Sequence, residues 1–299
     1  MVKDCYASVR KRLAQAGIED FSFETDVIFE EVFSRSFKLD MMIGRLDRKA
    51  TDSEVSRLNS MVERRCKGEP LQYIIGKWEF YGMELSVGDG VLIPRQDTET
   101  LVDTAFELVR QKSSVRATDL CSGSGCVALA LAELLNKNGT QYKITAAELY
   151  DKAFYYLEKN ADRYSYLNVR VQKLDALNPD SLAVNGLDLD IITCNPPYLD
   201  DEDMSKLQRE VSFEPKTALY GSSDGLDYYR IISRVWKNAL TDGGYIVFEI
   251  GYKQSKAVES ILRGEGYHSV RTVSDSTEKP RVVLGQKTCG SRSEYNFSD

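Results

Sequence analysis

The sequence predicts an α/β protein: a largely parallel sheet with helices on both faces, preceded by a small helical region and joined to it by a β-hairpin. Three observations carry this. The first sixty-odd residues place apolar side chains at helical spacing. From Gly68 the pattern changes to strand formers punctuated by glycine. After Ser113-Ser114, short apolar runs alternate regularly with amphipathic ones, as strand and helix do in a doubly wound sheet. With 299 residues, 42% hydrophobic and 28% charged, the chain is long enough for two domains of ordinary globular composition.

In chain order, Val2, Cys5, Val9 and Leu13 mark a first helix, and Ile28, Phe29, Val32, Phe33 and Phe37 a second. Val55, Leu58, Met61 and Val62 mark a third, opened by the capping-box pair Thr51 and Glu54. Gly68-Glu69-Pro70 through Tyr73 ends the helical region. Trp78 to Leu85 reads as a strand, Gly88-Asp89-Gly90 as a turn, and Val91 to Ile93 as the returning strand. A helix follows over Glu99–Arg110. Strands are predicted at 115–120, 144–147, 169–171, 187–194 and 245–250, with helices at 127–135, 152–163 and 226–240. Residues 267–273 and 281–284, linked by a short polar stretch, predict an antiparallel hairpin at the sheet edge. The resulting domains are a helical one over 1–75, a hairpin linker over 76–94, a sheet domain over 95–286 and a polar tail over 287–299.

Composition removes several functions. No apolar run reaches the roughly 18–20 residues that span a bilayer, and Met1-Val2-Lys3-Asp4 lacks a secretory pattern, so a cytoplasmic protein is expected. The six cysteines (Cys5, Cys66, Cys121, Cys126, Cys194, Cys289) form no CxxC pair, and His268 is the single histidine; this predicts reduced, mostly buried thiols and no metal site. His268 and Cys194 are read as structural. A net charge of −7 without a basic tract argues against direct binding to nucleic acid and for a basic protein partner.

Two stretches carry chemistry. Asp119-Leu120-Cys121-Ser122-Gly123-Ser124-Gly125 stands between a strand and its helix, where glycines let backbone approach a ligand and the helix N-terminus favours an anion such as a carboxylate. It has neither the Walker lysine nor full GxGxxG spacing, which favours a nucleoside without phosphates. Glu148, some 25 residues on at the next strand end, is placed to accept ribose hydroxyls. Asp175, followed by Ala176 at the third strand end, is placed to take the amino group of an adenine. The second stretch, Asn195-Pro196-Pro197-Tyr198, follows an apolar strand and forms a stiff polar mouth suited to a planar NH2 group that is to be alkylated.

With the glycine loop, two acids and Asn-Pro-Pro-Tyr in that order, the chain resembles the class I S-adenosylmethionine-dependent methyltransferases, specifically the HemK/PrmC family of release factor glutamine methyltransferases. The resemblance runs from about residue 20 to 285. It includes Gly68-Glu69-Pro70, Phe80-Tyr81-Gly82, Leu92-Ile93-Pro94-Arg95, Phe213-Glu214-Pro215, Asp224-Gly225-Leu226 and Glu249-Ile250-Gly251. Cys121 stands where a glycine is common, and Glu148 where aspartate is common. The resemblance implies S-adenosylmethionine as donor, bound by Asp119, Cys121, Ser122, Gly123, Ser124, Gly125, Glu148, Asp175, Ala176 and Asn195. It implies a class I peptide-chain release factor as substrate, gripped by the helical domain and methylated on the glutamine of its GGQ loop.

In that reading the Asn195 side-chain oxygen and the Pro196 carbonyl accept the two N–H bonds of the glutamine nitrogen, and Tyr198 stacks on the amide plane beside Pro197. Positioning rather than a general base then supplies most of the acceleration. Roles for Arg95, Glu214 and Glu249 stay open. Asn-Pro-Pro-Tyr is shared with enzymes that methylate adenine amino groups in RNA or DNA, which predicts a basic cleft instead; a non-catalytic binding module would have lost Asn195, Tyr198, Glu148 or Asp175.

Overall fold

The computed structural model describes residues 1–34, 36–178 and 187–288. Most of the expected polar tail, and Cys289 with it, lies outside the described residues; Lys287 itself closes the last strand. The chain divides into a helical unit of residues 1–77 with 208–213, and a sheet unit of 78–207 with 214–299.

The helical unit comprises α1 (Val2–Gln15), α2 (Phe21–Val32), α3 (Phe37–Met42), α4 (Asp52–Cys66) and α5 (Leu71–Ile75). Its core is the expected set, with Val2, Val9, Leu13, Ile28, Phe29, Leu58 and Val62 packed together. Two readings change. Phe37 opens α3 instead of extending α2, and the segment after Pro70 resumes as α5, because proline is tolerated at a helix entrance where no N–H partner is required. At the start of α4, the Glu54 N–H donates to Thr51 Oγ1 (3.2 Å) and the Thr51 N–H to Glu54 Oε2 (2.8 Å), the reciprocal cap expected from the sequence.

Arg65, only 2% exposed, is the charged centre of this unit. It donates through Nε and Nη2 to both oxygens of Glu24 (2.6 and 2.9 Å) and through Nη2 to Glu210. That last bond, with the one from Arg209 Nη2 to the Lys67 carbonyl (2.7 Å), ties 208–213 to this unit although its sequence neighbours lie in the sheet unit.

The hairpin also closes elsewhere than expected. Its strands are β1 (Lys77–Phe80) and β2 (Met83–Ser86), both within the first predicted run, and Val91–Ile93 is no strand. The turn is Tyr81-Gly82, with φ of 54° and 73°, the left-handed pair that matches strand twist. A tyrosine rarely adopts this conformation. Here Glu99 Oε1 accepts its N–H (3.2 Å) and Asp103 its hydroxyl (2.5 Å).

The main sheet has seven strands: β3 (Ser114–Leu120), β4 (Gln141–Glu148), β5 (Arg170–Lys173), β6 (Leu189–Cys194), β7 (Leu240–Glu249), β8 (Tyr267–Ser274) and β9 (Pro280–Lys287), in the order β5-β4-β3-β6-β7-β9-β8. All pairings are parallel except those of β9, so the edge hairpin is as predicted. Helices α6 (Glu99–Val109), α7 (Cys126–Lys137) and α8 (Asp151–Arg163) cover one face; α11 (Asp227–Val235) and α12 (Ser255–Gly264) cover the other. The short α9 (Asp201–Ser205) and α10 (Lys216–Leu219) follow the Asn-Pro-Pro-Tyr loop. Adjacent residues of central strands go to opposite layers, Ile191 to one core and Ile192 to the other, as a sheet buried on both sides requires. Among the described residues of the sheet unit, the helices α9, α10 and α12 are additions to the predicted set, as α3 and α5 are in the helical unit. His268 is exposed on β8 and packs in no core.

Candidate active site

Register brings the site together. Leu120 pairs with Ala147 on β4 and with Cys194 on β6, and Cys194 pairs with Phe248 on β7. The glycine loop, Glu148, Asn195 and Glu249 therefore emerge side by side at the carboxyl ends of four neighbouring strands, where β3 begins the sheet's two directions of winding. A cleft opens there. Of the residues predicted to bind, Asp119, Cys121, Ser122, Gly123, Ser124, Glu148, Asp175, Ala176, Asn195 and Pro197 line it; Gly125, Pro196 and Tyr198 do not.

The loop's shape is demanding. Cys121 and Gly123 take φ of 55° and 54°, and Gly125 takes 83°. Cys121 bears the left-handed strain that glycine avoids. At Gly125 a Cβ would meet Leu157 Cδ1 at 2.6 Å, so this glycine serves close packing against α8 rather than direct contact with the cleft.

Asp119 ties the loop down. Ser122 Oγ donates to its Oδ2 (2.7 Å) and Thr193 Oγ1 to its Oδ1 (2.8 Å), while Ser122 Oγ accepts the Ala147 N–H (3.1 Å). Complete burial pushes the Asp119 carboxyl up to about 7, against those two hydroxyls, which pull it down. Ser124 Oγ is buried without a hydrogen-bond partner among the described residues, on the wall of the cleft.

Glu148 is also heavily used. Its Oε2 accepts the Gly123 N–H (2.9 Å), and Oε1 accepts those of Leu149 (2.8 Å) and Tyr150 (2.9 Å). A carboxylate offers about four acceptor positions, so roughly one remains. Two ribose hydroxyls fit only if one of these three bonds is released. Asp175 accepts the Leu177 N–H through Oδ1 (2.9 Å).

The Asn-Pro-Pro-Tyr loop is clamped from behind. The Tyr198 N–H donates to the Leu219 carbonyl (3.1 Å), and Gln254 Nε2 donates to the Tyr198 carbonyl (2.9 Å). A Cβ on Gly225 would lie 2.3 Å from that same carbonyl, and one on Gly221 would lie 2.6 Å from the Pro197 carbonyl. Gly221, Gly225 and Gln254 thus act as supports for the loop. Tyr198 packs against the core over β6 and β7, and burial raises its hydroxyl pKa. Asn195 Nδ2 points to Thr98 Oγ1 at 3.4 Å.

Arg95 lines the cleft and also pairs with the buried Glu214, whose Oε2 accepts the Ile93 N–H (3.0 Å). Thr98, Tyr150 and Tyr228 line the cleft too and were not singled out by sequence. Tyr150 had a usable signal, two residues beyond the strand-end acid; Thr98 and Tyr228 lie just past the family-like segments that end at Arg95 and Leu226.

Sheet order, glycine loop and paired strand-end site define a class I methyltransferase. The catalytic domain of hMettl16, solved with a MAT2A 3′UTR hairpin, has the same fold, with a TM-score of 0.55 and 18% identity over 82% of this chain and 87% of that one. Residues 4–76 match the model of the PrmC N-terminal domain. The release factor glutamine methyltransferase of Thermodesulfovibrio yellowstonii is 36% identical, covering 87% of this chain and 91% of its own length. That of Escherichia coli K12 is 32% identical, covering 88% and 91%. The chain belongs to the release factor glutamine methyltransferase family.

Proposed function

We propose that this protein transfers a methyl group from S-adenosylmethionine to the side-chain amide nitrogen of the glutamine in the GGQ motif of class I peptide-chain release factors. The observation that carries this reading is Asn195, anchored at one end of its amide on the wall of the same cleft as the glycine loop, in a chain of this family.

The cleft suits the donor. Backbone of the loop from Cys121 to Gly125 and the N-terminus of α7 favour its carboxylate, and the orphaned Ser124 hydroxyl offers a further polar contact. Glu148 takes a ribose hydroxyl, and Asp175 with Ala176 takes the adenine edge. Bound there, the donor supplies an electrophilic methyl carbon on a sulfonium. Asp119 acts through the loop it braces.

The acceptor nitrogen is a poor nucleophile because its lone pair is delocalised into the carbonyl. Asn195 Oδ1 and the Pro196 carbonyl accept its two N–H bonds, fixing the nitrogen and favouring pyramidalisation. The C–N bond forms as the S–CH3 bond breaks, and the nitrogen then loses a proton. Pro196 and Pro197 hold the loop and add no competing donors. Tyr198, given its packing, serves the loop's conformation more than a stacking surface.

We assign recognition of the release factor to the helical unit, place the reaction in the cytoplasm, and relate the net charge of −7 to a substrate that otherwise meets ribosomal RNA. The test is incubation with labelled donor and purified release factor, wild type beside a GGQ variant with Gln→Ala. Label is expected only in the wild type, and equal labelling of both would sink the assignment.

A further inference from the structure

Behind Asn195 lies a carboxylate that the mechanism above does not use. Glu249 ends β7 in register with the residue after Cys194, and it is 2% exposed. Among the described residues no group meets hydrogen-bond geometry at its Oε2, which is fully buried. The Thr98 hydroxyl and the Asn195 amide nevertheless lie close enough to stabilise the charged form, and Thr98 itself is buried. Arg281 faces the carboxylate and favours its charge; Asp97 opposes it and pairs with Arg281 at 2.7 Å; Tyr198, Tyr229 and Cys126 are further titratable neighbours.

The two ends of an asparagine amide are nearly equal in size and opposite in hydrogen bonding. Only the oxygen serves a substrate that presents N–H bonds. An amide with neutral neighbours has two orientations of similar energy, and one of them turns a donor toward the glutamine nitrogen. We infer that Glu249 and Thr98 are positioning residues that set the orientation of the Asn195 amide: an acceptor-only carboxylate behind it draws Nδ2 inward with Thr98 and leaves Oδ1 facing the substrate. This rests on the reading of Asn195 as the acceptor-site residue.

The arrangement depends on charge. Burial pushes the Glu249 carboxyl up to about 7, while the Thr98 hydroxyl, Arg281 and Asn195 pull it down. Once protonated, Glu249 is itself a donor and accommodates Oδ1 turned inward, so the productive orientation loses its advantage as pH falls through that range.

The experiment measures kcat, donor dissociation constant and pH profile for wild type, Glu249→Gln, Thr98→Val and Thr98→Ser, with release factor as acceptor. Glu249→Gln and Thr98→Val are expected to lower kcat about tenfold or more at pH 8, with the donor constant within about twofold of wild type. Thr98→Ser, which keeps the hydroxyl, is expected to restore most of kcat. The acid limb of the kcat profile near pH 7 should vanish in Glu249→Gln, whose Asp119 is unchanged. Wild-type kcat and an unaltered acid limb in Glu249→Gln would overturn the inference. So would a uniform loss of kcat and donor affinity in both variants with the acid limb retained, since that marks a merely structural role. If the wild type labels an adenine amino group and no release factor, the substrate assignment falls separately, and the same variants measured on that acceptor still decide the amide's orientation.

Discussion

Arg65 in the helical unit and Glu249 in the sheet unit are equally hidden, each about 2% exposed, yet their surroundings are opposite. Arg65 meets two carboxylates, one of them with two bonds. Glu249 keeps an oxygen with no hydrogen-bond partner among the described residues, beside the residue assigned to hold the substrate. A buried charge that is fully matched holds a unit together, whereas one left short of partners costs stability and gives its neighbour an electrostatic instruction.

The largest expected effect tests the first half of that contrast. Arg65→Ala strands Glu24 and should cost about 3–5 kcal/mol, read as a lowered denaturation midpoint of the helical unit. Next comes Asn195→Ala, expected to reduce kcat at least a hundredfold, about 2.7 kcal/mol, with donor binding retained in calorimetry. Near-normal turnover would remove Asn195 from the mechanism.

Glu249→Gln sharpens the other half. A carboxyl whose folded pKa is raised from 4.5 to about 7 contributes stability that is complete below about 4.5 and lost as pH rises through about 7. The variant should therefore unfold less readily than wild type at pH 8, by on the order of 1–3 kcal/mol, and the gap should close toward pH 4. A more stable but slower enzyme is the outcome that separates a functional buried charge from a structural one.

Smaller effects serve as controls. Thr51→Ala removes a cap at an exposed helix start and should cost about 1 kcal/mol in thermal unfolding. Lys206→Ala breaks the exposed pair with Glu202 and should leave the thermal unfolding midpoint unchanged.

Much of the fold is legible because hydrophobic periodicity survives in each element. The alternating layers of β6, the apolar α7 and the capping box of α4 are all local patterns. The hairpin misleads for a specific reason: Gly88-Asp89-Gly90 looks like a turn, while the real turn uses Tyr81, a residue whose left-handed conformation is supported by Glu99 and Asp103 from later in the chain. The helix Ser255–Gly264 has Val258, Ile261 and Leu262 at helical spacing, a signal the strand-to-strand reading passes over. Of the site, the glycine loop, both strand-end acids and Asn195 are legible as motifs. The spent lone pairs of Glu148 and the turning of Tyr198 into the core are not.

The sequence by itself determined the alternation of the sheet domain's strands with its longer helices, the glycine loop, the acids at strand ends and the loop that carries Asn195, since each depends on near neighbours. Only the tertiary structure decided which backbone N–H groups Glu148 satisfies, that 208–213 joins the helical unit through Arg65, and that Glu249 stands behind Asn195. Those outcomes depend on register between strands far apart in the chain and on desolvation in the packed core, and neither is a property of a local run of residues.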